Sequence, residues 1–413
     1  MKKLLILLLL SYCNISYAQL GNIRIDNIPT ISQLPVSAIS YIYQDSEGYM
    51  WYGTVDGLCR DDGYNVHVFR SDYTTPGLMD INSVLCIAED KNKHILFGTQ
   101  RGVYLLDKKT YNITKLRYKF LQENPISRML VRKNGDIWIA CQNYLYELNA
   151  QGKFRCRHSL DAACSLLYEG SNEKLYYSTY HGSFYCKNKQ QKPVLISKQM
   201  SVNGMAEDNH KKGYWLVTGD NRIWFYRANA IGKKPQFELR HTLSQFNDMG
   251  MREIVQDNYY HYLWIMGRES IYVFKPNSDG RLEQIPTAGL FSPEKKILAH
   301  LYKDKNGNIW VSSFDHYSFT ISFRPSIVRS FSIEPMLRVT GYKPSIVTLC
   351  RDEGGVLWYY QEYCGLYIYD PSRGMFPVNY RRCPAVSQEP LNVVPYLVFT
   401  ELMLGITWSA ANF

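Results

Sequence analysis

Short stretches in which apolar and polar residues alternate recur along the chain, and turn-forming residues separate them. In residues 39–54, an apolar stretch leads to Asp45, Gly48 follows three residues later, and Trp51 follows three residues after that. A further stretch opens at Gly57. Such alternation is typical of half-buried strands. The Asp-x-x-Gly step predicts a hairpin turn, because Asp bonds to nearby backbone and Gly accepts a positive φ.

The same pattern recurs at intervals of 38 to 49 residues. Two further copies keep the full spacing, in Asp304, Gly307 and Trp310 and in Asp352, Gly355 and Trp358. In two others, Asp208 and Asp257 lie one residue further from the tryptophan. The anchor position of the repeat is held by Trp51, Leu96, Trp138, Tyr176, Trp215, Trp264, Trp310 and Trp358. Six of the eight tryptophans therefore occupy one position, which indicates a genuine repeat.

Each repeat predicts about four short strands, with the tryptophan strand buried on both faces by neighbouring repeats. One such sheet cannot bury its faces alone, so the repeats must pack side by side. The predicted fold class is all-β, a β-propeller of four-stranded blades with about seven blades and an incomplete extra one. An irregular array of β-sandwiches is the alternative.

The repeat count predicts three regions: a signal peptide over residues 1–18, a seven-bladed propeller over 19–330, and an extra blade with an aberrant C-terminal segment over 331–413. Residues 22–27 alternate and are expected to supply a strand that closes the ring. An extra blade would leave an unpaired edge, so self-association is expected, more for residues 19–413 than for a chain ending near residue 330.

The best copy resembles the two-component regulator propeller repeat. Residues 44–54, Gln-Asp-Ser-Glu-Gly-Tyr-Met-Trp-Tyr-Gly-Thr, match its consensus almost position for position and are followed by Gly57 and Leu58. The resemblance extends over roughly residues 22–375 and weakens in the middle copies. It implies the N-terminal periplasmic part of a hybrid two-component sensor histidine kinase. In that family, propellers sense oligosaccharides released from polysaccharides, and a membrane helix and kinase follow.

The chain departs from this family because it stops at Phe413. The C-terminal sensor and kinase modules of the parent architecture are thus expected as missing partners, and the sequence is interpreted as truncated or frame-shifted. Gly405 and Trp408 retain part of the repeat spacing. A membrane anchor over residues 395–411 is the alternative, and Pro395 argues against it.

The N-terminus predicts export. Lys2 and Lys3 precede an apolar core over residues 4–10, and small residues flank Tyr17 before cleavage near Ala18. A periplasmic or secreted location follows. A lipoprotein signal using Cys13 is the alternative, and it is disfavoured because Tyr12 occupies the place of a small residue.

Removal of residues 1–18 takes away two lysines and lowers the formal net charge from +10 to +8. This excess is spread along the chain without a run of five like charges, so no nucleic-acid partner is predicted. Most of the ten cysteines lie in strand-like runs and are interpreted as buried apolar residues. A disulfide between Cys156 and Cys164 is a less favoured possibility in an oxidising compartment.

The sequence predicts no catalytic residue, cofactor or metal site. Sialidase-type Asp boxes place Gly two residues after Asp, whereas here it follows at three. The repeated aspartates are interpreted as turn formers, and the nine histidines form no metal motif. The ligand-site hypothesis rests on exposed aromatics in the sixth repeat, Tyr259, Tyr260 and His261, which could stack on a sugar. A secreted carbohydrate-active propeller enzyme and a non-catalytic interaction scaffold are the alternative functions.

Overall fold

The computed structural model describes residues 23–121, 124–188, 191–210, 212–228, 235–243, 250–287, 291, 297–315 and 317–323, and the backbone of four strands between residues 346 and 377. The predicted signal peptide, the turn residues Asp352 and Gly355 and the segment 378–413 lie outside the described residues. The chain divides into two compact units, residues 1–325 and residues 326–413.

The first unit contains seven antiparallel four-stranded sheets, so the prediction of an all-β propeller is confirmed. Blade one contains β2 (Ile39–Gln44), β3 (Met50–Thr54), β4 (Gly57–Asp61) and β5 (Val66–Phe69). Blade two contains β6 (Val84–Glu89), β7 (Ile95–Thr99), β8 (Gly102–Leu106) and β9 (Ile113–Lys115). Blade three contains β10 (Ile126–Val131), β11 (Ile137–Cys141), β12 (Tyr144–Leu148) and β13 (Phe154–Ser159).

The next three blades follow the same order of four consecutive strands. They are β14 (Cys164–Glu169), β15 (Leu175–Thr179), β16 (Phe184–Lys187) and β17 (Val194–Ser197); β18 (Val202–Glu207), β19 (Tyr214–Thr218), β20 (Arg222–Arg227) and β21 (Gln236–Thr242); and β22 (Glu253–Gln256), β23 (Leu263–Met266), β24 (Ile271–Pro276) and β25 (Leu282–Ile285).

The seventh blade closes the ring with a strand from the N-terminus. It contains β26 (Leu298–Lys303), β27 (Ile309–Ser313) and β28 (Phe319–Ser322), and its fourth strand is β1 (Arg24–Asn27), antiparallel to β28. The expectation that residues 22–27 supply the closing strand is therefore confirmed. The first strand of every blade contacts the first strands of its two neighbours, including β2 against β26, so the seven blades form a closed ring.

The Asp-x-x-Gly step forms the turn between the first and second strands of a blade. Gly48 has φ +99° and Gly307 has φ +85°, as the hairpin prediction requires. Asp45 is fully buried, and its Oδ1 accepts the backbone N–H groups of Glu47 and Tyr49. Its Oδ2 accepts the indole N–H of Trp51 at 2.9 Å. The turn aspartate thus also positions the tryptophan, because one carboxylate bonds to both.

The same Asp–Trp bond recurs in three other blades, between Asp208 and Trp215, Asp257 and Trp264, and Asp304 and Trp310. Blade three departs from this pattern, because Arg132 occupies the place of the aspartate and bonds to Glu169 at 2.9 Å. The indole nitrogen of Trp138 consequently has no hydrogen-bond partner within the described residues. Blades two and four also lack this bond, because Leu96 and Tyr176 hold the anchor position there, so the fold forms with the bond in four of its seven blades.

Hydrogen bonds join neighbouring blades at five of the seven blade junctions. Glutamate or glutamine ends five of the first strands and accepts a bond from the turn between the first and second strands of the preceding blade. The pairs are Gln44 with Lys305 N, Glu89 with Ser46 N, Glu169 with Lys133 N, Glu207 with Ser171 Oγ, and Gln256 with Asn209 N. We call the face that carries these turns the Asp-turn face. These hydrogen bonds hold neighbouring turns together around the propeller axis, and they fix the shape of this face.

The considered disulfide between Cys156 and Cys164 is absent, and both residues are free thiols. Cys156 lies on the outermost strand of blade three, opposite Glu147. Cys164 begins the innermost strand of blade four and its thiol donates to the Leu166 carbonyl. The two cysteines lie on strands of different blades, one outermost and one innermost, so they do not meet although they are close in the sequence.

The second unit contains one four-stranded antiparallel sheet with the strand order of a blade. Its strands are β29 (Ile346–Arg351), β30 (Leu357–Gln361), β31 (Gly365–Asp370) and β32 (Gly374–Pro377). Trp358 lies in β30, opposite Cys350 of β29. The eighth repeat seen in the sequence therefore forms a blade-like sheet.

Candidate functional site: the central channel

The first strands bring seven side-chain positions to one level around the propeller axis. Each position lies three residues before the end of its strand, where the register places it opposite the second strand. The seven residues are Tyr41, Cys86, Arg128, Leu166, Gly204, Glu253 and His300. Four of these seven positions in the first strands thus hold charged or aromatic side chains: Tyr41, Arg128, Glu253 and His300.

An ion pair crosses the channel at this level. Arg128 of blade three lies 3.7 Å from Glu253 of blade six, and these blades are not neighbours in the ring. The Arg128 guanidinium also donates to the Ser165 carbonyl. His300 lies 3.8 Å from Glu253 and stacks on Tyr41 with ring centroids 4.0 Å apart. These four side chains form a cluster that we call the channel plug.

Burial dominates the electrostatics of the channel plug. Burial lowers the pKa of His300, the nearby Arg128 charge lowers it further, and Glu253 opposes both. Burial also raises the pKa of the Tyr41 hydroxyl. The imidazole is therefore held neutral, and its Nδ1 accepts the backbone N–H of Ile42 at 3.3 Å. The plug carries one compensated ion pair and a neutral histidine.

His300 is expected to make the fold less stable under mildly acidic conditions. Its folded pKa lies below the ordinary value of 6.5, so the unfolded chain takes up a proton that the folded chain does not. Stability is then lost as the pH falls below 6.5 towards the folded pKa, by at most about 1.4 kcal/mol per pH unit. Unfolding midpoints of the wild type and of His300→Gln, measured from about pH 7.5 to about pH 5.5, check this.

The wild type should lose more stability than His300→Gln over this range. Replacement of the exposed His67 by Gln is the control and should leave the wild-type pH dependence unchanged. A parallel pH dependence in the wild type and His300→Gln would contradict the assignment to His300.

A cavity of about 370 Å³ opens beside the channel on the Asp-turn face, at the ends of the first strands of blades four to seven. Its volume lies within the range of small-molecule sites. Its lining combines apolar and hydrogen-bonding groups: Tyr168, Met205, Ala206, Glu207, Asp208, Asn209, Ile254, Val255, Gln256 and Lys303.

The polar groups of the cavity come from different blades. Lys303 of blade seven donates to the Gln256 carbonyl at 2.7 Å and to the Asn258 side chain at 3.2 Å. Burial lowers the pKa of the Lys303 ammonium, and the Asp257 carboxylate opposes this shift. Across the cavity, burial and the Glu207 carboxylate raise the pKa of the Tyr168 hydroxyl. A lysine, a tyrosine and a glutamate thus line the same open cavity.

None of the three predicted ligand residues lines this cavity, but His261 contacts a residue that does. Asn209, which lines it, has its side-chain nitrogen 2.7 Å from Nδ1 of His261. The ring of Tyr259 is 45% exposed and stacks on Phe323 with centroids 6.0 Å apart. Tyr260 packs edge-on against the same phenylalanine. The structure therefore brings His261 beside the cavity, while both tyrosines pack on the core of blade seven.

Sequence reasoning missed Arg128, Glu253, His300 and Lys303. They come from three blades, with His300 and Lys303 both in blade seven, and no linear motif connects them. A usable signal was present, however, because each is a polar residue inside a first strand, one to four residues before the position of the turn aspartate. Charged residues are seldom buried without a partner, so charged residues in a buried strand indicate that their partners lie on other first strands around the channel.

The ring and its channel define the class of this protein as a seven-bladed β-propeller. Within that class, residues 33–56, which contain the first two strands of blade one, match the family described as "Two component regulator propeller". The match thus falls on the copy of the repeat whose sequence resembles that family most strongly. No curated protein sequence matches the chain.

Solved structures with the same fold include two extracellular domains from B. thetaiotaomicron. One is described as that of a hybrid two component system, BT4673, with TM-score 0.57, 21% identity, and coverage of 85% of this chain and 46% of that one. The domain of BT3049 has TM-score 0.57 and 16% identity, with coverage of 86% and 54%. The chain thus spans about half the length of these relatives.

The fold also occurs in an enzyme. Virginiamycin B lyase from Staphylococcus aureus matches with TM-score 0.55 and 14% identity, over 73% of this chain and 98% of the lyase.

No helix among the described residues is long and apolar enough to cross a membrane.

Proposed function

We propose that this chain is the ligand-sensing propeller of a two-component regulatory system. The observation that carries the proposal is the match of blade one to the two-component regulator propeller family. The similarity in fold to extracellular domains of hybrid two-component systems supports it. In this proposal the propeller itself has no catalytic activity.

The predicted signal peptide supports a periplasmic or secreted location, and the extracellular origin of the structural relatives agrees with it. Signalling would then require the C-terminal sensor and kinase modules of the parent architecture as partners. Self-association and the lack of a nucleic-acid partner are further parts of the same proposal.

We propose the cavity on the Asp-turn face as the ligand site, and oligosaccharides from polysaccharide breakdown as its ligands. Its chemistry supports this choice. Glu207 and Asn209 offer hydrogen-bonding groups to hydroxyls, Lys303 is a cationic donor, and Tyr168 presents an aromatic surface. Sites of this kind combine an apolar wall with a few converging polar groups.

The ligand proposal predicts that filling the cavity weakens oligosaccharide binding. Val255→Phe places a ring in the cavity without removing a hydrogen-bonding group, and is expected to weaken binding at least about tenfold. Lys303→Met is expected to weaken it as well, because the ammonium donor is lost. Titration calorimetry with a panel of oligosaccharides of different composition measures both variants.

Tyr64→Ala is the matched control, because Tyr64 is 84% exposed and does not line the cavity. Unchanged binding in Val255→Phe would contradict the cavity as the site. Product analysis of the same mixtures tests the remaining alternatives. Turnover of a glycan would favour an enzyme and overturn the sensor proposal, and binding of proteins without any glycan would favour a scaffold.

A further inference from the structure

Three potential metal ligands meet on the outer half of blade three, away from the channel. Glu147 lies on β12, and Cys156 and His158 lie on the neighbouring strand β13. The strand register places Cys156 directly opposite Glu147. Residues two apart in a strand point to the same face, so His158 joins Cys156 on that side. Carboxylate, thiol and imidazole thus converge.

The three ligand atoms form a nearly equilateral triangle. Sγ of Cys156 lies 3.5 Å from Oε2 of Glu147 and 3.4 Å from Nε2 of His158. The same imidazole nitrogen lies 3.7 Å from Oε2 of Glu147. All three atoms therefore lie within one metal coordination sphere of each other.

The dimensions of this triangle match one face of a zinc tetrahedron. Zinc–sulfur, zinc–nitrogen and zinc–oxygen bonds of about 2.3, 2.05 and 2.1 Å at tetrahedral angles give ligand separations of about 3.6 Å for O–S, 3.6 Å for S–N and 3.4 Å for N–O. The observed separations agree to within about 0.3 Å, so the side chains would need only small adjustments.

We propose that Glu147, Cys156 and His158 form a Zn²⁺ site with water as the fourth ligand. Thiolate, imidazole and carboxylate are the donor types that zinc prefers. On binding, the Cys156 thiol gives its proton to solvent, so that Zn²⁺ with one thiolate, one carboxylate and a neutral imidazole is uncharged. Cys156 and His158 are both partly exposed, so solvent can supply the water.

Two cations next to Glu147 determine how tightly the metal binds. Arg155 lies 3.3 Å from Oε1 of Glu147 and 2.7 Å from Asp136, so it bonds on the side of the carboxylate away from the triangle. Lys187 lies 3.5 Å from Oε2, the proposed ligand atom, and its ammonium also lies over the Trp138 ring. Lys187 therefore competes with the metal, whereas Arg155 holds the carboxylate in place.

This competition makes two opposite predictions. Cys156→Ser is expected to weaken Zn²⁺ binding at least about tenfold, because the thiolate ligand is lost. Lys187→Met is expected to tighten it by about tenfold, because a charge 3.5 Å from a ligand atom is removed. Titration calorimetry of the full chain with ZnCl₂, after removal of metals with a chelator, measures both effects.

Cys186→Ser is the matched control, because Cys186 is also a half-buried free thiol but lies in blade four. Co²⁺ supplies a second readout on the unaltered protein. A thiolate-to-cobalt charge-transfer band that disappears in Cys156→Ser and persists in Cys186→Ser would identify the ligand. Equal Zn²⁺ affinity in the wild type and Cys156→Ser, or a wild-type chain without the cobalt band, would overturn the proposal.

Discussion

Replacing Ile23 and Ile25 with aspartate is expected to lower the free energy of unfolding by about 3–5 kcal/mol. Both isoleucines pack against the core of blade seven, and Ile25 pairs with Ile321 across the closing strands. Carboxylates at these positions would be desolvated without partners, so β1 would detach from β28. Blade seven would then expose a bare edge and its apolar face. Denaturant unfolding followed by tryptophan fluorescence measures the change.

The control uses the same strand. Arg24 is exposed between the two isoleucines, and Arg24→Ala is expected to change stability by less than about 0.5 kcal/mol. Limited proteolysis gives an independent readout, because detachment of β1 makes both β1 and the edge strand β28 accessible to the protease. Equal unfolding midpoints for the double variant and Arg24→Ala would show that β1 does not close the propeller.

Replacing Asp45 with alanine is expected to cost about 2–4 kcal/mol of unfolding free energy. The carboxylate is fully buried, and its loss leaves the indole N–H of Trp51 and the backbone N–H of Tyr49 without their acceptor. Lys108 limits the cost, because it keeps its bond to Glu89 at 2.7 Å when Asp45 is gone. Chemical denaturation of the two proteins compares them directly.

Asp62 provides the matched control for this substitution. It also accepts two backbone N–H groups in a hairpin turn, from Tyr64 and Asn65, but it is exposed. Asp62→Ala is expected to cost less than about 1 kcal/mol, because water replaces the lost acceptor. Comparable losses for Asp45→Ala and Asp62→Ala would mean that the indole bond contributes nothing beyond the turn.

The comparison between sequence and structure is clearest at the tryptophan anchors. The spacing of Asp45, Gly48 and Trp51 predicts a hairpin and a buried strand, and the structure has both. The closing strand was also predictable, since residues 22–27 alternate before the first repeat. These features are local, so periodicity and turn chemistry contain the information needed to find them.

In blade three, the repeat pattern no longer predicts which hydrogen bonds the side chains form. Trp138 keeps its position in the repeat, but Arg132 replaces the aspartate and forms an ion pair with Glu169 of the next blade instead. The sequence alone does not reveal that exchange, because the partner lies 37 residues away. Blade three is also the blade that brings Glu147, Cys156 and His158 together.

The sequence by itself determined the number of blades, the order of strands and the positions that each blade buries. Each of these follows from a pattern that is complete within one repeat and recurs along the chain, so it can be recognised without knowing which blades meet. Only the tertiary structure decided which side chains meet at the axis. Arg128 and Glu253 are 125 residues apart in the sequence, yet they pair across the channel because ring closure places blades three and six opposite each other. The cavity depends on the same closure, since its walls come from four blades.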